Sequence, residues 1–158
     1  MRRTFGPYLL GHKSDIPAAM TAISVYSRAH RALRDTPRFE FADDKAPNFV
    51  GYRQRVESKA LGEVIGWYKN PEPVQPEAIL VAERGLLSIG RGIDQCINFS
   101  DIRSVAGPGA DTNSSNISIV LKSGIAVLLP IAGRDGKYRD VFSFIRFLNR
   151  VTEDAEPR

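Results

Sequence analysis

Residues 141–151 read VFSFIRFLNRV, and this segment constrains the fold of everything that precedes it. Its apolar side chains recur at the three- and four-residue spacing of a helix, and the apolar stripe is far wider than a third of the circumference. The pattern predicts a helix from about Tyr138 to Val151, with Asp135 or Gly136 at its N-terminal cap. A helix this apolar has to be covered by another layer of the protein.

The residues before this helix predict its cover, because their hydrophobic pattern is that of short strands separated by turns. Two hairpins are indicated, at residues 78–89 and at residues 117–129. Residues 97–105 alternate as a further strand, and a disturbance of phase at Ser100 and Asp101 predicts a bulge or bend there. The sequence therefore predicts an α+β fold, a curled antiparallel sheet or partly open barrel capped by the C-terminal α-helix.

The N-terminal part predicts an additional helix. Apolar residues recur at helical spacing from Ile16 to about Arg34. Residues 36–51 contain two prolines and the alternating fragment FEF, so we expect a connecting segment with one short strand. Residues 53–68 fit either a helical face or a strand, and we favour a helical turn or two followed by a strand.

Short antiparallel strands closed by one amphipathic C-terminal helix resemble the pleckstrin-homology-like (PH-like) superfold, particularly its bacterial members. The likeness rests on ILVAERGLLS at residues 79–88, with its Glu-x-Gly turn, and on INFSDIRSV at residues 97–105. It covers about residues 60–152. Phosphoinositide binding in that family depends on a basic loop between the first two strands, whereas residues 70–77 here contain two glutamates and no Lys or Arg. The resemblance therefore implies a platform for a protein or peptide partner.

These patterns divide the chain into three predicted parts. Residues 1–52 are expected to form the N-terminal helix and connecting segment, packed on the main domain. Residues 53–152 are expected to form the PH-like β-rich domain. Residues 153–158 are expected to be a disordered tail.

Composition limits the classes of protein that this chain can belong to. With 158 residues, of which 42% are hydrophobic and 25% charged, it can bury a core without metals or disulfides. The single cysteine, Cys96, excludes an internal disulfide and is expected to be a buried or half-buried small hydrophobe. No apolar run approaches the roughly 20 residues that cross a bilayer. Residues 11–15 interrupt the apolar segment that an export signal would need after Arg3, so we predict a cytoplasmic protein.

The sequence contains few residues that could act in catalysis or bind a metal. His12 and His30 are the only imidazoles, and neither has the paired spacing of a zinc-binding helix. His30 is expected to be a packing or surface residue. Asp43 and Asp44 offer a divalent ion two adjacent carboxylates, although adjacent acids in a loop are usually only solvated. We expect no cofactor and no metal.

Positive charge is concentrated in two places. The net charge of +4 arises before Asn70, where 12 Lys and Arg face 7 Asp and Glu, against 10 and 11 in the remainder. Arg134, Lys137 and Arg139 lie at the start of the predicted last helix, where free N–H groups favour an anion. These three residues are therefore a candidate anion site, and the alternative is a loop kept soluble by its charge.

Three functions are compatible with the sequence. The first is a non-catalytic interaction module whose sheet edge, or whose groove between sheet and last helix, receives a protein or peptide partner, with a homo-oligomer as a variant. The second is binding to a membrane surface or anionic ligand through the basic residues. The third is a small enzyme with a site assembled from distant residues such as His30, Asp101 and Tyr138. We favour the first; nucleic acid is not expected, since no basic run or recognition motif is present.

Overall fold

A computed structural model describes residues 25–42, 49–90, 94–107, 116–132 and 139–156. Over these residues the chain is a mixed α+β fold of two antiparallel sheets and three helices, which confirms the predicted fold class. The sheets share no strand pairing, so they do not close into a barrel. The helices are α1 (described over 25–33), α2 (Phe49–Glu57) and α3 (Arg139–Ala155). The five-stranded sheet contains, in order, β1 (Phe39–Phe41), β2 (Val64–Lys69), β3 (Ala78–Ala82), β4 (Gly85–Ile89) and β5 (Gln95–Asn98), and the three-stranded sheet contains β6 (Ile102–Ala106), β7 (Asn116–Leu121) and β8 (Ala126–Pro130).

The five-stranded sheet is covered on both faces, which explains the continuous apolar runs of β3 and β4. Every residue of these two strands is buried. Trp67, Leu80 and Leu87 occupy one row of the register and belong to the cluster formed with α2. Tyr68 and Ile79 occupy the adjacent row and belong to the cluster formed with α1 and α3. Strands that are buried on both faces lose the alternation of apolar and polar residues.

The chain passes from one sheet to the other through a 3-10 turn, Phe99–Asp101. The phase disturbance predicted at Ser100 and Asp101 is confirmed, but the prediction of a single strand over 97–105 is wrong, because the two halves pair in different sheets. Phe99 is buried, and its ring meets the edge of Phe147 with centroids 6.0 Å apart. Burying this aromatic ring beneath α3 bends the chain at the crossing point.

Helix α3 packs across the junction of the two sheets, as its sequence predicts. It contacts β6, β7 and the 3-10 turn. The ring of Phe144 meets those of Tyr68 and Phe39, with centroids 5.4 and 6.3 Å apart. At the start of the helix the buried Tyr68 hydroxyl donates to Oδ2 of Asp140 over 2.8 Å. The buried apolar side chains of α3 are Val141, Phe144, Phe147, Leu148 and Val151.

Helix α2 begins at Phe49, so the predicted connecting segment over 36–51 is wrong at its C-terminal end. Phe49 and Val56, seven residues apart, are buried against the five-stranded sheet. The polar residues between them leave few apolar residues at helical spacing, so the sequence pattern did not predict the start of this helix. The ambiguity over 53–68 is resolved as the end of this helix followed by strand β2.

The N-terminal helix agrees with the sequence prediction where it is described, and α3 is longer than predicted. Residues 25–33 are helical, and residues 16–24 of the predicted 16–34 helix lie outside the described residues. Helix α3 continues to Ala155, into the segment predicted as a tail. The guanidinium of Arg28 donates to both carboxylate oxygens of Asp154, over 3.0 and 3.2 Å, and this pair holds the last turn of α3 against α1.

We predict that Tyr68→Phe lowers the free energy of unfolding by about 1–3 kcal/mol, because it leaves the buried Asp140 carboxylate without this donor. Urea denaturation followed by circular dichroism measures the change. Tyr52→Phe is the matched control, since the half-buried Tyr52 hydroxyl has no hydrogen-bond partner among the described residues. Equal stability losses in the two variants would contradict the role given to Tyr68.

Candidate interaction surface

Among the described residues no strand pairs with the outer side of β8, so this strand is an edge of the three-stranded sheet. The β7–β8 hairpin closes through the turn 122–124, where Gly124 adopts φ +93°, a conformation that other residues rarely tolerate. The Leu121 N–H donates to the Ile125 carbonyl over 2.8 Å. Because bonded and non-bonded pairs alternate along an antiparallel ladder, Val127 and Leu129 bond to β7. The N–H and C=O groups of Ala126 and Leu128 therefore point away from the sheet.

One end of this edge is closed by Asn70. The Asn70 side-chain amide donates to the carbonyls of Pro76 and Pro130 over 2.8 and 2.9 Å, and its Oδ1 accepts the Ala132 N–H over 2.8 Å. This buried side chain thus joins the β2–β3 connection to the end of β8. Pro130 has no N–H, and Asn70 occupies its carbonyl, so the open part of the edge is limited to Ala126 and Leu128.

The outer face of the three-stranded sheet carries no charged side chain in its two central rows. The register aligns Ala106, Ser118 and Leu128 in one row. The next row consists of Ser104, Val120 and Ala126. The Leu128 side chain is 61% exposed, although the same strand buries Val127 and Leu129 on its inner face. Strand β8 is therefore apolar on both faces while one of them is open, a feature typical of surfaces that meet a partner.

The other edge of this sheet is less open, because β6 lies beside α3. A Cβ atom on Gly107, just after β6, would lie 2.8 Å from Cδ1 of Ile145, so strand end and helix are in close contact. One turn earlier on α3, Phe142 is 56% exposed, although the sequence placed it in the apolar stripe that should be covered. Both docking places predicted from sequence thus carry an exposed apolar side chain, Leu128 at the sheet edge and Phe142 on the last helix.

The predicted anion site is described at one of its three residues. Arg139 is exposed at the start of α3, whereas Arg134 and Lys137 lie outside the described residues. The next residue, Asp140, places a carboxylate in the first turn of the helix, where it already interacts with the positive end of the helix dipole. This carboxylate opposes the binding of an anion at the same helix end.

A polar cavity of about 610 Å³ lies at the β2–β3 connection. Its charged lining residues are Lys69, Glu72 and Glu77. This connection is the segment in which the resembled family would place a phosphoinositide loop, and its carboxylates oppose a phosphate. Tyr52 also lines the cavity, and burial, with a smaller contribution from Glu77, raises the pKa of its phenol. The phenol therefore stays protonated at neutral pH.

Of the residues suggested for catalysis, the two that the structure describes, His30 and Asp101, interact with different partners. His30 shares a hydrogen bond of 2.9 Å with the Tyr26 hydroxyl and stacks on Phe41, while Asp101 accepts a hydrogen bond from Asn98. Tyr138 lies outside the described residues, as do His12, Asp43 and Asp44. Among the residues that the structure describes, no group of three or more His, Cys, Asp and Glu side chains has the arrangement of a metal site.

Cys96 is exposed on β5, so the prediction of a buried or half-buried thiol is wrong. Its strand is the outermost of the five-stranded sheet, and there the polar neighbours Gln95 and Asn98 are exposed as well. Desolvation by the adjacent structure is the main cause that raises the pKa of the thiol, and Lys59 opposes it. A raised pKa lowers the thiolate fraction and so disfavours a nucleophilic role.

Within the described residues no helix is both long and apolar enough to cross a bilayer. Comparisons of the chain with protein-family models, curated proteins and solved structures found no match. Function therefore has to be inferred from the surfaces just described. The sequence predicted a sheet edge as a docking place but did not identify β8, because IAVLL at residues 125–129 looks like a strand buried on both faces. That excess of apolar residues was the available signal.

We predict that Asn70→Asp lowers the free energy of unfolding by at least about 1–3 kcal/mol, because a carboxylate oxygen would replace the donor that faces two carbonyls. Thermal and urea denaturation measure the loss. Asn149→Asp, at an exposed position of α3, is the matched control and should change stability by less than about 0.5 kcal/mol. A similar loss in both variants would show that Asn70 does not join the two sheets.

We also predict that Cys96 in the native protein reacts with iodoacetamide at pH 8 more slowly than in the urea-unfolded chain. The raised pKa leaves less thiolate at this pH, and the difference should narrow as the pH rises above the native pKa. Mass spectrometry of timed samples measures both rates, with a cysteine-containing peptide as the reference in each solvent. A native rate equal to or above the unfolded rate would contradict the prediction.

Proposed function

We propose that the protein is a non-catalytic interaction module that binds an extended segment of a partner protein along the edge of β8. The observation that carries this proposal is the edge at Ala126 and Leu128, which pairs with no described strand and lies next to two outer-face rows without a charged side chain. An added strand would receive main-chain hydrogen bonds from these two residues and would cover the exposed Leu128 side chain. Such strand addition obtains affinity from the backbone and specificity from alternate side chains.

The resemblance to the PH-like superfold remains part of the proposal. Short antiparallel strands followed by the apolar helix α3 support it, and they are the features on which the resemblance rests. It implies the use of this scaffold as a platform for a protein or peptide. We further propose a cytoplasmic location.

The alternatives have less support. Of the three residues of the predicted anion site Arg139 alone is described, and Asp140 opposes an anion there. Among the basic residues before Asn70, Arg28 and Arg55 are already paired with Asp154 and Asp94. An enzyme built from His30, Asp101 and Tyr138 lacks a contact that brings the first two together. We therefore keep the interaction module as the single proposal.

The experiment selects peptides from a random phage-displayed library on the full chain and measures their affinity by fluorescence polarisation. Leu128→Pro should weaken binding about tenfold, because it removes one outward N–H and the exposed leucine but leaves the bonds from β8 to β7 in place. Leu128→Ala keeps the N–H and should weaken binding by a smaller factor. Thermal melting of each variant reports whether the fold is retained.

Phe142→Ala on α3 is the control for the groove between sheet and helix. Peptides that lose affinity in this variant and keep it in Leu128→Pro would overturn the proposed site. Sedimentation of the protein alone adds a second check. A dimer that Leu128→Pro dissociates would make a second copy of the chain, rather than a peptide, the occupant of the edge.

A further inference from the structure

A second concave surface lies between α1, β1, β2 and the β3–β4 turn, away from the edge of β8. This groove has a volume of about 380 Å³, which is near the lower end of the roughly 300–1,000 Å³ of small-molecule sites. Its lining includes Tyr26, Phe41, Glu63 and Glu83. A groove of this size suits one side chain of a partner better than a large cofactor.

Two aromatic rings form part of the wall. Tyr26 is 51% exposed, and its ring centroid lies 6.4 Å from that of Phe41 at an interplanar angle of 58°. His30 fixes both rings, since it stacks on Phe41 with centroids 4.4 Å apart and shares a hydrogen bond with the Tyr26 hydroxyl. Held in this way, the ring faces can attract a cation by their quadrupoles.

Two carboxylates lie at the same groove. Glu83 accepts the Glu63 backbone N–H through Oε1 over 2.8 Å, which fixes its side chain and leaves its second oxygen available. Neither carboxylate forms a salt bridge with a basic group in the described residues. Arg84, the nearest basic residue in sequence, directs its guanidinium to the Ala60 carbonyl over 3.4 Å. Over the part of the chain that the structure describes, the groove is therefore apolar and aromatic, and its negative charge is not compensated.

We propose that this groove binds an arginine side chain of a protein partner. A guanidinium is planar, so it can stack on an aromatic ring while its N–H groups donate to a carboxylate. Lysine offers the same charge without the planar group and should bind more weakly. The site goes beyond the strand-binding edge proposed above, because it uses different residues and recognises charge rather than backbone.

The test uses the peptide Ac-Gly-Arg-Gly-NH2, with Ac-Gly-Cit-Gly-NH2 as its control, where citrulline (Cit) has nearly the same shape without the charge. Each is titrated into the full chain labelled with ¹⁵N and followed by two-dimensional NMR. The arginine peptide should shift the amide signals of Phe41, Ala42, Glu63 and Val64, and the citrulline peptide should not. Addition of 0.5 M NaCl should weaken the effect, since salt screens the carboxylates.

Glu83→Gln keeps an oxygen that accepts the Glu63 N–H and removes the charge, so it should weaken arginine binding about fivefold without unfolding the chain. Glu72→Gln, in the polar cavity at the β2–β3 connection, is the matched control and should have no effect. Tyr26→Leu keeps an apolar wall without a ring and should also weaken binding.

Three results would overturn the proposal: equal binding of the citrulline peptide, unchanged affinity in Glu83→Gln, or shifts confined to the cavity at Glu72. The variant Leu128→Pro should leave the arginine titration unchanged. Failure of this site is therefore distinguishable from failure of the strand-binding edge.

Discussion

The architecture depends on one constraint: the apolar face of α3 has to be buried, and it is buried at the junction of the two sheets. Because the two sheets do not close into a barrel, their inner faces would be open to water at the junction. The rings of Phe144 and Phe147 fill this junction. The hydrogen bond from Tyr68 to Asp140 fixes the start of the helix, and the pair of Arg28 with Asp154 fixes its end. A helix held at both ends determines the angle between the sheets and so determines which edges are covered.

The two edges of the three-stranded sheet differ because of this arrangement. Helix α3 lies beside β6, while Asn70 closes only the last residue of β8. Within the described residues, what remains open is a short edge next to two rows that carry no charged side chain. Natural proteins usually protect such edges with charged residues, proline or a bulge, and here Pro130 protects one end only. An edge left open in this way fits an interaction surface better than a purely structural strand.

Local patterns predicted the elements and their order, because periodicity reports which faces are buried. The spacing of apolar residues over 141–151 shows that this helix must be buried by another layer of the protein. The two hairpins are evident from their turns. Which residues are covered by tertiary packing was harder to predict. Phe142 and Leu128 look like core residues in sequence, and only the three-dimensional arrangement leaves them exposed. The groove near Glu83 was missed because its lining residues are separated by up to 57 positions in the chain, from Tyr26 to Glu83, and no spacing rule joins them.

The different chemistry of the two surfaces has a practical consequence for ionic strength. Hydrogen bonds to the backbone of β8 and contacts with Leu128 involve no net charge, so a change in salt concentration affects them little. Attraction to Glu63 and Glu83 weakens as the Debye length falls from about 10 Å at 0.1 M salt to about 3 Å at 1 M. We therefore expect a higher salt concentration to weaken binding at the proposed arginine groove and to leave binding at the proposed β8 edge nearly unchanged.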